Sequence, residues 1–207
     1  MTSTSAIEKL PGGRLMSLIL KPETRVMLDT TVLCSSILTD GLNLKLLRAA
    51  RAGRYQAVIS SICLFEFRRY ALEGIKQGKN SFQFTDSYFE KFMELVVFPA
   101  LRGQPVSESL VSRHSYEVVK MADHRTPIGD MLYELTLMTQ EQVVFILEDN
   151  NMTKPLSEFD LQDAHVWTTA VATECEYIVT SNKRKFPETI GNIERIHPID
   201  FAKLIGI

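Results

Sequence analysis

The chain has 207 residues, 45% of them hydrophobic and 23% charged, with a formal net charge of −2 at pH 7. That length suits one domain with a single sizeable core, and apolar runs such as Val143–Leu147 are far too short to span a bilayer. The small negative charge excludes a chain that holds nucleic acid through bulk positive charge; any grip on a polyanion must come from local basic patches or from a bound cation.

Residues 1–24 read as an N-terminal tail. Pro11, Gly12 and Gly13 precede only the short stretch Leu15–Leu20, which lacks the extended apolar region of a secretory signal. The three cysteines, Cys34, Cys63 and Cys175, show no CxxC spacing and sit in apolar surroundings. They predict buried thiols in a reducing, cytoplasmic setting, with no disulfide scaffold and no zinc site. Arg25–Asp29 is a short apolar run with an acid at its end and suits a buried parallel strand. Thr30 or Thr31 offers a cap for a following helix, and Asn43–Arg54 reads as the next one, with Gly53 as its stop. Gln56–Ser60 is a second buried strand, after which Ser60 or Ser61 opens a helix carrying Leu64, Glu66, Phe67 and Tyr70.

From Phe84 to Leu147 the pattern is largely helical. Thr85 and Asp86 cap a helix over Tyr88–Phe98 that Pro99 ends, and Ser107–Ala122 and Gly129–Leu147 read as two more. Asp149–Ser157 is polar, contains Pro155 and reads as a loop. Asp160 then precedes a helix through Thr173, Glu176–Ser181 is a third strand, Asn192–His197 a fourth, and Asp200–Leu204 a last helix. Strands followed by helices at both ends predict an α/β sandwich around a central parallel sheet. We assign residues 25–207 to one domain, with 80–158 as a mainly helical insertion or arm.

Open parallel sheets bind ligands in the crevice beyond the carboxyl ends of their strands. Asp29 lies at such an end, Glu66 sits early in the helix after the second strand, Asp160 and Asp163 open the helix before the third strand, and Asn182 follows that strand. Parallel pairing would bring these side chains to one rim. Carboxylates gathered there repel one another, and a divalent cation relieves the repulsion. Mg²⁺ and Mn²⁺ prefer such hard oxygen ligands.

Three blocks carry a family resemblance: Val26-Met27-Leu28-Asp29-Thr30-Thr31 through Leu38, Ile59-Ser60-Ser61 through Glu66-Phe67-Arg68-Arg69, and Asp160-Leu161-Gln162-Asp163-Ala164-His165 with Tyr177 through Asn182. Together, in this order, they resemble the motifs of the PIN-domain family. The resemblance implies a Rossmann-like three-layer sandwich and a ribonuclease that uses Mg²⁺ or Mn²⁺, often the toxin of a toxin–antitoxin pair and often a homodimer. Carried onto this chain, Asp29, Glu66 and Asp163 would hold the principal metal, with Asp160 as an additional acid. Thr180 and Asn182 would orient water, and Lys183 and Arg184 would hold the RNA strand. Two departures stand out: Thr30 where many members have Asn, and Asn182 where many have an acid. The missing charge keeps a rival open, a catalytically weak RNA-binding or protein-interaction module.

Plainer readings compete residue by residue. Asp29 can simply mark a strand's exit, Asp160 can cap a helix, Asp163 can suit the helix dipole, and Glu66 can pair with Arg69 or Tyr70. Lys45, Arg48, Arg51 and Arg54 read as a solvated helix face, whereas Arg68 and Arg69 are candidates for phosphate or for an antitoxin. His165 reads as packing or surface, and His114, His124 and His197 show no ligand spacing.

Overall fold

In Arg25–Leu28, strand β1, the last three side chains are all fully buried, so both faces of the strand are covered. This strand is the centre of a computed structural model that describes residues 20–107, 109–150, 163–182 and 186–207. β1 is followed by helices α1 (Thr30–Leu38) and α2 (Leu42–Arg51) and then by β2 (Gln56–Val58). Gly53, at φ 76°, makes the left-handed turn that releases the chain from α2, as its position suggested. Next come α3 (Ser61–Glu73) and a hairpin of β3 (Ile75–Gln77) and β4 (Asn80–Phe82). After the central helices the chain returns through α9 (Ala164–Ala172), β5 (Tyr177–Val179), β6 (Thr189–Ile190), β7 (Ile193–Ile196) and α10 (Pro198–Leu204).

The main sheet has the order β2-β1-β5-β7-β6, parallel except for the edge strand β6. The expected α/β architecture with a central parallel sheet is therefore present. From β1 the chain steps one way to β2 and later crosses to β5 on the other side. The strand order thus reverses between β1 and β5, the place where open sheets leave a crevice. On one part of the core, Phe201 of α10 meets Tyr55 edge-on (5.1 Å between ring centroids) and Tyr177 of β5 (6.2 Å). On another, Trp167 of α9 packs on Phe186.

The middle of the chain differs in detail from the sequence reading. A helix begins at α4 (Asp86–Phe92), capped by Thr85, passes through one π-helical turn (Met93–Val97) and ends in α5 (Phe98–Ala100). Pro99 does not end it at once, because it falls in the first turn of that last segment, where a missing N–H costs least. The helix expected over 107–122 is shorter: α6 (Arg113–Met121) starts at a Ser112–Ser115 capping box. Before it, the chain runs extended along the end of β2, with Val111 donating to the Ile59 carbonyl and Ser61 to that of Ser109. The helix expected over 129–147 is two helices, α7 (Ile128–Thr136) and α8 (Gln140–Asp149). Leu137 turns left-handed at φ 57° between them, and Thr139 with Gln142 recaps the second. The β3–β4 hairpin and β6 were not expected at all; their strands are too short to show a period.

This arm packs on α3. Arg68, only 8% exposed, donates to the Val119 and Ala122 carbonyls at the end of α6 and to Asp86. Arg69 donates to the carbonyls of His124 and Thr126 and lies over the Phe65 ring. Ser61 reaches the Leu135 carbonyl of α7 (2.9 Å). The helix bearing Glu66 is thus clamped from outside, and its residues from Ser61 to Arg68 are all buried.

Candidate active site

Leu28 and Val179 are register partners on neighbouring parallel strands, so the residues that follow them, Asp29 and Thr180, leave the sheet side by side. The Asp29 amide extends this ladder by donating to the Val179 carbonyl. Asp29 occupies the N-cap of α1, yet its carboxylate caps no helix amide. Its Oδ2 instead accepts from Thr180 Oγ1 (2.7 Å) and Thr31 Oγ1 (2.8 Å). Those hydroxyls are held in turn: Thr180 Oγ1 accepts from the Asn182 amide (2.9 Å), and Thr31 Oγ1 from the Ser181 amide (3.1 Å). The turns after β1 and β5 are stitched into one frame around a single carboxylate. Thr30 and Thr31, expected as caps, are the first residues of α1, and both hydroxyls point at acids.

Glu66 arrives from β2. Ser60 caps α3 by accepting from the Cys63 amide, as expected for a residue opening that helix, and Glu66 follows in the second turn. Its Oε2 accepts from the Thr30 hydroxyl and lies 3.8 Å from His165 Nε2. Neither Arg69 nor Tyr70 bonds to it. Asp163 is the N-cap residue of α9, and its side chain caps nothing there; Oδ2 accepts from Asn182 Nδ2 (3.1 Å). Asp29, Glu66 and Asp163 line one cleft of about 270 Å³, together with Asn182, Tyr70 and Lys76.

The electrostatics are unbalanced. Asp29 and Glu66 are 4% and 6% exposed, and no lysine or arginine among the described residues pairs with either. Burial pushes the Asp29 carboxyl above its ordinary value. The Thr180 and Thr31 hydrogen bonds pull it back, and the nearby Glu66 raises it again. Asp29 Oδ1 and Glu66 Oε1 accept no hydrogen bond among the described residues. Buried carboxylates with spare oxygens and no lysine or arginine neighbour fit a hard divalent cation such as Mg²⁺ or Mn²⁺.

Of the two readings offered for His165, packing and surface, the structure shows packing: it is buried behind Glu66, beside Ser60. Its Nδ1 lies 3.2 Å from Ser60 Oγ and 4.0 Å from Cys63 Sγ, while Nε2 faces Glu66. Burial works against the imidazolium, but Cys63 and Glu66 outweigh it and hold the ring well above its ordinary value. Cys63, Glu66 and His165 each bring a donor atom within 4.8 Å of the others. The two ring nitrogens serve opposite neighbours, however, so the imidazole is a spacer between Cys63 and Glu66. A signal for His165 was present in the sequence: Ala164–Ala172 carries no charged residue, which favours a helix covered on all sides.

Other expectations shift. Arg68 is turned inward on Asp86 and the arm's carbonyls, and Arg69 spends Nε and Nη2 on the carbonyls of His124 and Thr126. Arg48 pairs with exposed Asp40 and Arg54 donates to the Ile205 carbonyl, in keeping with a solvated face. All three cysteines are buried and free. Asp160, Lys183 and Arg184 lie outside the described residues.

Among the described residues, no helix is long and apolar enough to cross a membrane. No curated protein and no solved structure matches the chain. One family model does match, described as PIN domain, over residues 25–184, and that span holds β1, α3, α9, β5 and all three clustered acids. The chain therefore belongs to the PIN domain family, whose fold is generally that of a metal-dependent nuclease.

Proposed function

We propose that this protein is a metal-dependent ribonuclease that hydrolyses RNA phosphodiester bonds in the cleft at the carboxyl ends of β1 and β5. The observation that carries this reading is the meeting of Asp29, Glu66 and Asp163, from three distant segments, in one cleft where the first two are buried without a lysine or arginine partner. In this reading Asp29, Glu66 and Asp163 hold Mg²⁺ or Mn²⁺. Bound there, the cation neutralises phosphate charge and makes water a better nucleophile at neutral pH.

The chain's own residues prepare the site. Thr31 and Thr180 fix one oxygen of Asp29 and leave the other to the cleft; Thr30 does the same for Glu66. Asn182 fixes Asp163 and keeps its own amide in line with Thr180. Asp160 serves as an additional acid, and Lys183 and Arg184 grip the RNA strand beside Asn182.

The finer assignment is the toxin of a toxin–antitoxin pair. Growth arrest on expression, relieved by a neighbouring gene product, would support it; harmless expression of active enzyme would remove it. The enzymatic reading is tested on a mixed RNA pool with Mn²⁺. Wild-type protein cleaves and folded Asp29→Asn does not. Equal cleavage by the two ends the assignment. One observation favours the rival binding module: Asn182 meets Asp163 with a neutral amide rather than a further carboxylate. A wild-type protein that takes up no Mn²⁺ would decide for that module.

A further inference from the structure

His165 is the one histidine among the described residues that is fully buried. It stands on α9 two residues past Asp163, and residues so spaced on a helix point to different sides. The start of one helix thus delivers an acid to the cleft and a ring to the back of another acid, Glu66. No other side chain of Ala164–Ala172 titrates. An apolar residue could fill the same space without desolvating two ring nitrogens, which opposes folding unless each finds a partner.

The two nitrogens have unlike surroundings. Nδ1 lies 3.2 Å from Ser60 Oγ, the hydroxyl that caps α3 by accepting from the Cys63 amide. That oxygen already serves as an acceptor, so in a neutral ring the Ser60 hydrogen goes to Nδ1; in a charged ring Nδ1–H donates to the oxygen instead. In both states Nε2 carries a hydrogen. Nε2 is buried and forms no hydrogen bond among the described residues, and the acceptor it faces is Glu66 Oε2 at 3.8 Å. That is longer than a hydrogen bond, yet a movement of roughly 1 Å closes the gap. Thr30 donates to the same Oε2. Glu66 therefore repeats the pattern of Asp29, whose Oδ2 takes both Thr31 and Thr180 while Oδ1 accepts nothing among the described residues.

We propose that His165 is the positioning residue for Glu66. Held by Ser60 at Nδ1, it directs Nε2–H at Oε2, leaves Oε1 for the cation, and sets the spacing of Glu66 from Asp163 on its own helix. Carboxylates that ligate metals are commonly fixed by such a partner behind them, and the partner's loss weakens the metal without touching it. The inference rests on the metal-dependent reading and adds to it the residue that supports one of its ligands.

The test compares three substitutions, because glutamine and asparagine each keep a different part of the ring's contacts. In His165→Gln the side-chain amide nitrogen reaches the place of Nε2; in His165→Asn it reaches only that of Nδ1; His165→Leu fills the space with neither. Mn²⁺ uptake is read by electron paramagnetic resonance on proteins shown to be folded by urea unfolding. His165→Leu and His165→Asn should bind Mn²⁺ about ten-fold or more weakly, and His165→Gln should stay within about three-fold of wild type. Equal affinity in all the proteins, or recovery by asparagine as full as by glutamine, overturns the proposal and leaves the ring a packing element tied to Ser60. Nitrogen NMR of metal-free wild-type protein, labelled in histidine, gives a second reading that needs no variant. The buried ring should show a hydrogen on Nε2 that exchanges slowly with solvent at neutral pH; an Nε2 without one overturns the proposal even if the variants do not fold. Failure of the underlying reading looks different, since wild-type protein would then take up no Mn²⁺ at all. Uptake by wild type with no gain of His165→Gln over His165→Leu overturns the positioning alone.

Discussion

Thr180 donates its hydroxyl hydrogen to Asp29 at 2.7 Å, across 151 positions of sequence. The same oxygen accepts from the Asn182 amide, so one side chain both steadies the buried acid and shapes the turn that aims Asn182 at Asp163. Thr180 is 1% exposed and has no route to substrate except through these neighbours. Its contribution is positional.

Thr180→Val removes that hydrogen bond at nearly constant volume. It should cost about 1–2 kcal/mol in urea unfolding, the usual loss for a buried polar contact broken on one side. Mn²⁺ affinity should fall roughly ten-fold or more, as when a supporting contact to a metal ligand is lost. Thr180→Ser should recover most of both. Calorimetric titration of Mn²⁺ into the three proteins checks this; equal affinities would mean that the hydroxyl does not position Asp29.

Asp29→Asn should separate stability from function. The carboxylate is buried near Glu66 with no lysine or arginine partner, and burial outweighs its hydrogen bonds, so its charge opposes folding of the metal-free protein. Removing the charge should raise the metal-free melting temperature at pH 7 by about 2–4 °C, the shift that roughly 1 kcal/mol produces in a domain of this size. The rise in melting temperature on adding Mn²⁺ should disappear. Differential scanning calorimetry with and without Mn²⁺ reads both effects.

The raised Asp29 pKa also sets a pH dependence. In the metal-free protein, the unfavourable contribution of the charged form is complete above the folded-state pKa and is relieved as pH falls through it. Metal binding runs the other way, because it needs the ionised acid. Mn²⁺ affinity should therefore begin to fall on acidification at a higher pH than an ordinary aspartate would give, while the metal-free protein gains stability from the same group. Dissociation constants measured across pH 4–8, a range spanning roughly the ordinary carboxylate and histidine values, would show this midpoint. A midpoint at the ordinary aspartate value would contradict it.

Arg68→Ala should behave as a structural lesion. It deletes the donors to Val119, Ala122 and Asp86 that hold the helical arm to α3, at a cost of about 2–4 kcal/mol by urea unfolding. Arg68→Lys should restore only part, since an ammonium cannot reproduce the guanidinium fork. Cleavage per folded molecule should not change in either. A drop in RNA affinity with unchanged stability would return Arg68 to the list of phosphate contacts.

Much of the frame was legible before any coordinates. Val26-Met27-Leu28 ends in Asp29, and an apolar run closed by an acid means a buried strand leaving the core. Ser60 before a helix and Gly53 after one are local chemistry, and local chemistry can be read from neighbours in sequence. The ordered motifs around Asp29, Glu66 and Asp163 carried the family. The break at Leu137 and the β3–β4 hairpin were missed, because short strands lack a period and a left-handed leucine has no compositional mark.

What only the tertiary structure decided is partnership. Nothing in the residues near Asp29 says that Thr180 will hold it; that follows from the register of Leu28 with Val179, which the packing of both sheet faces imposes. Nor does sequence say that Arg68 and Arg69 turn toward the carbonyls of the arm. Periodicity and capping arise from contacts within a few residues, whereas the cleft arises from strands paired across most of the chain. The sequence alone therefore determined which acids were available, and the fold determined that they meet.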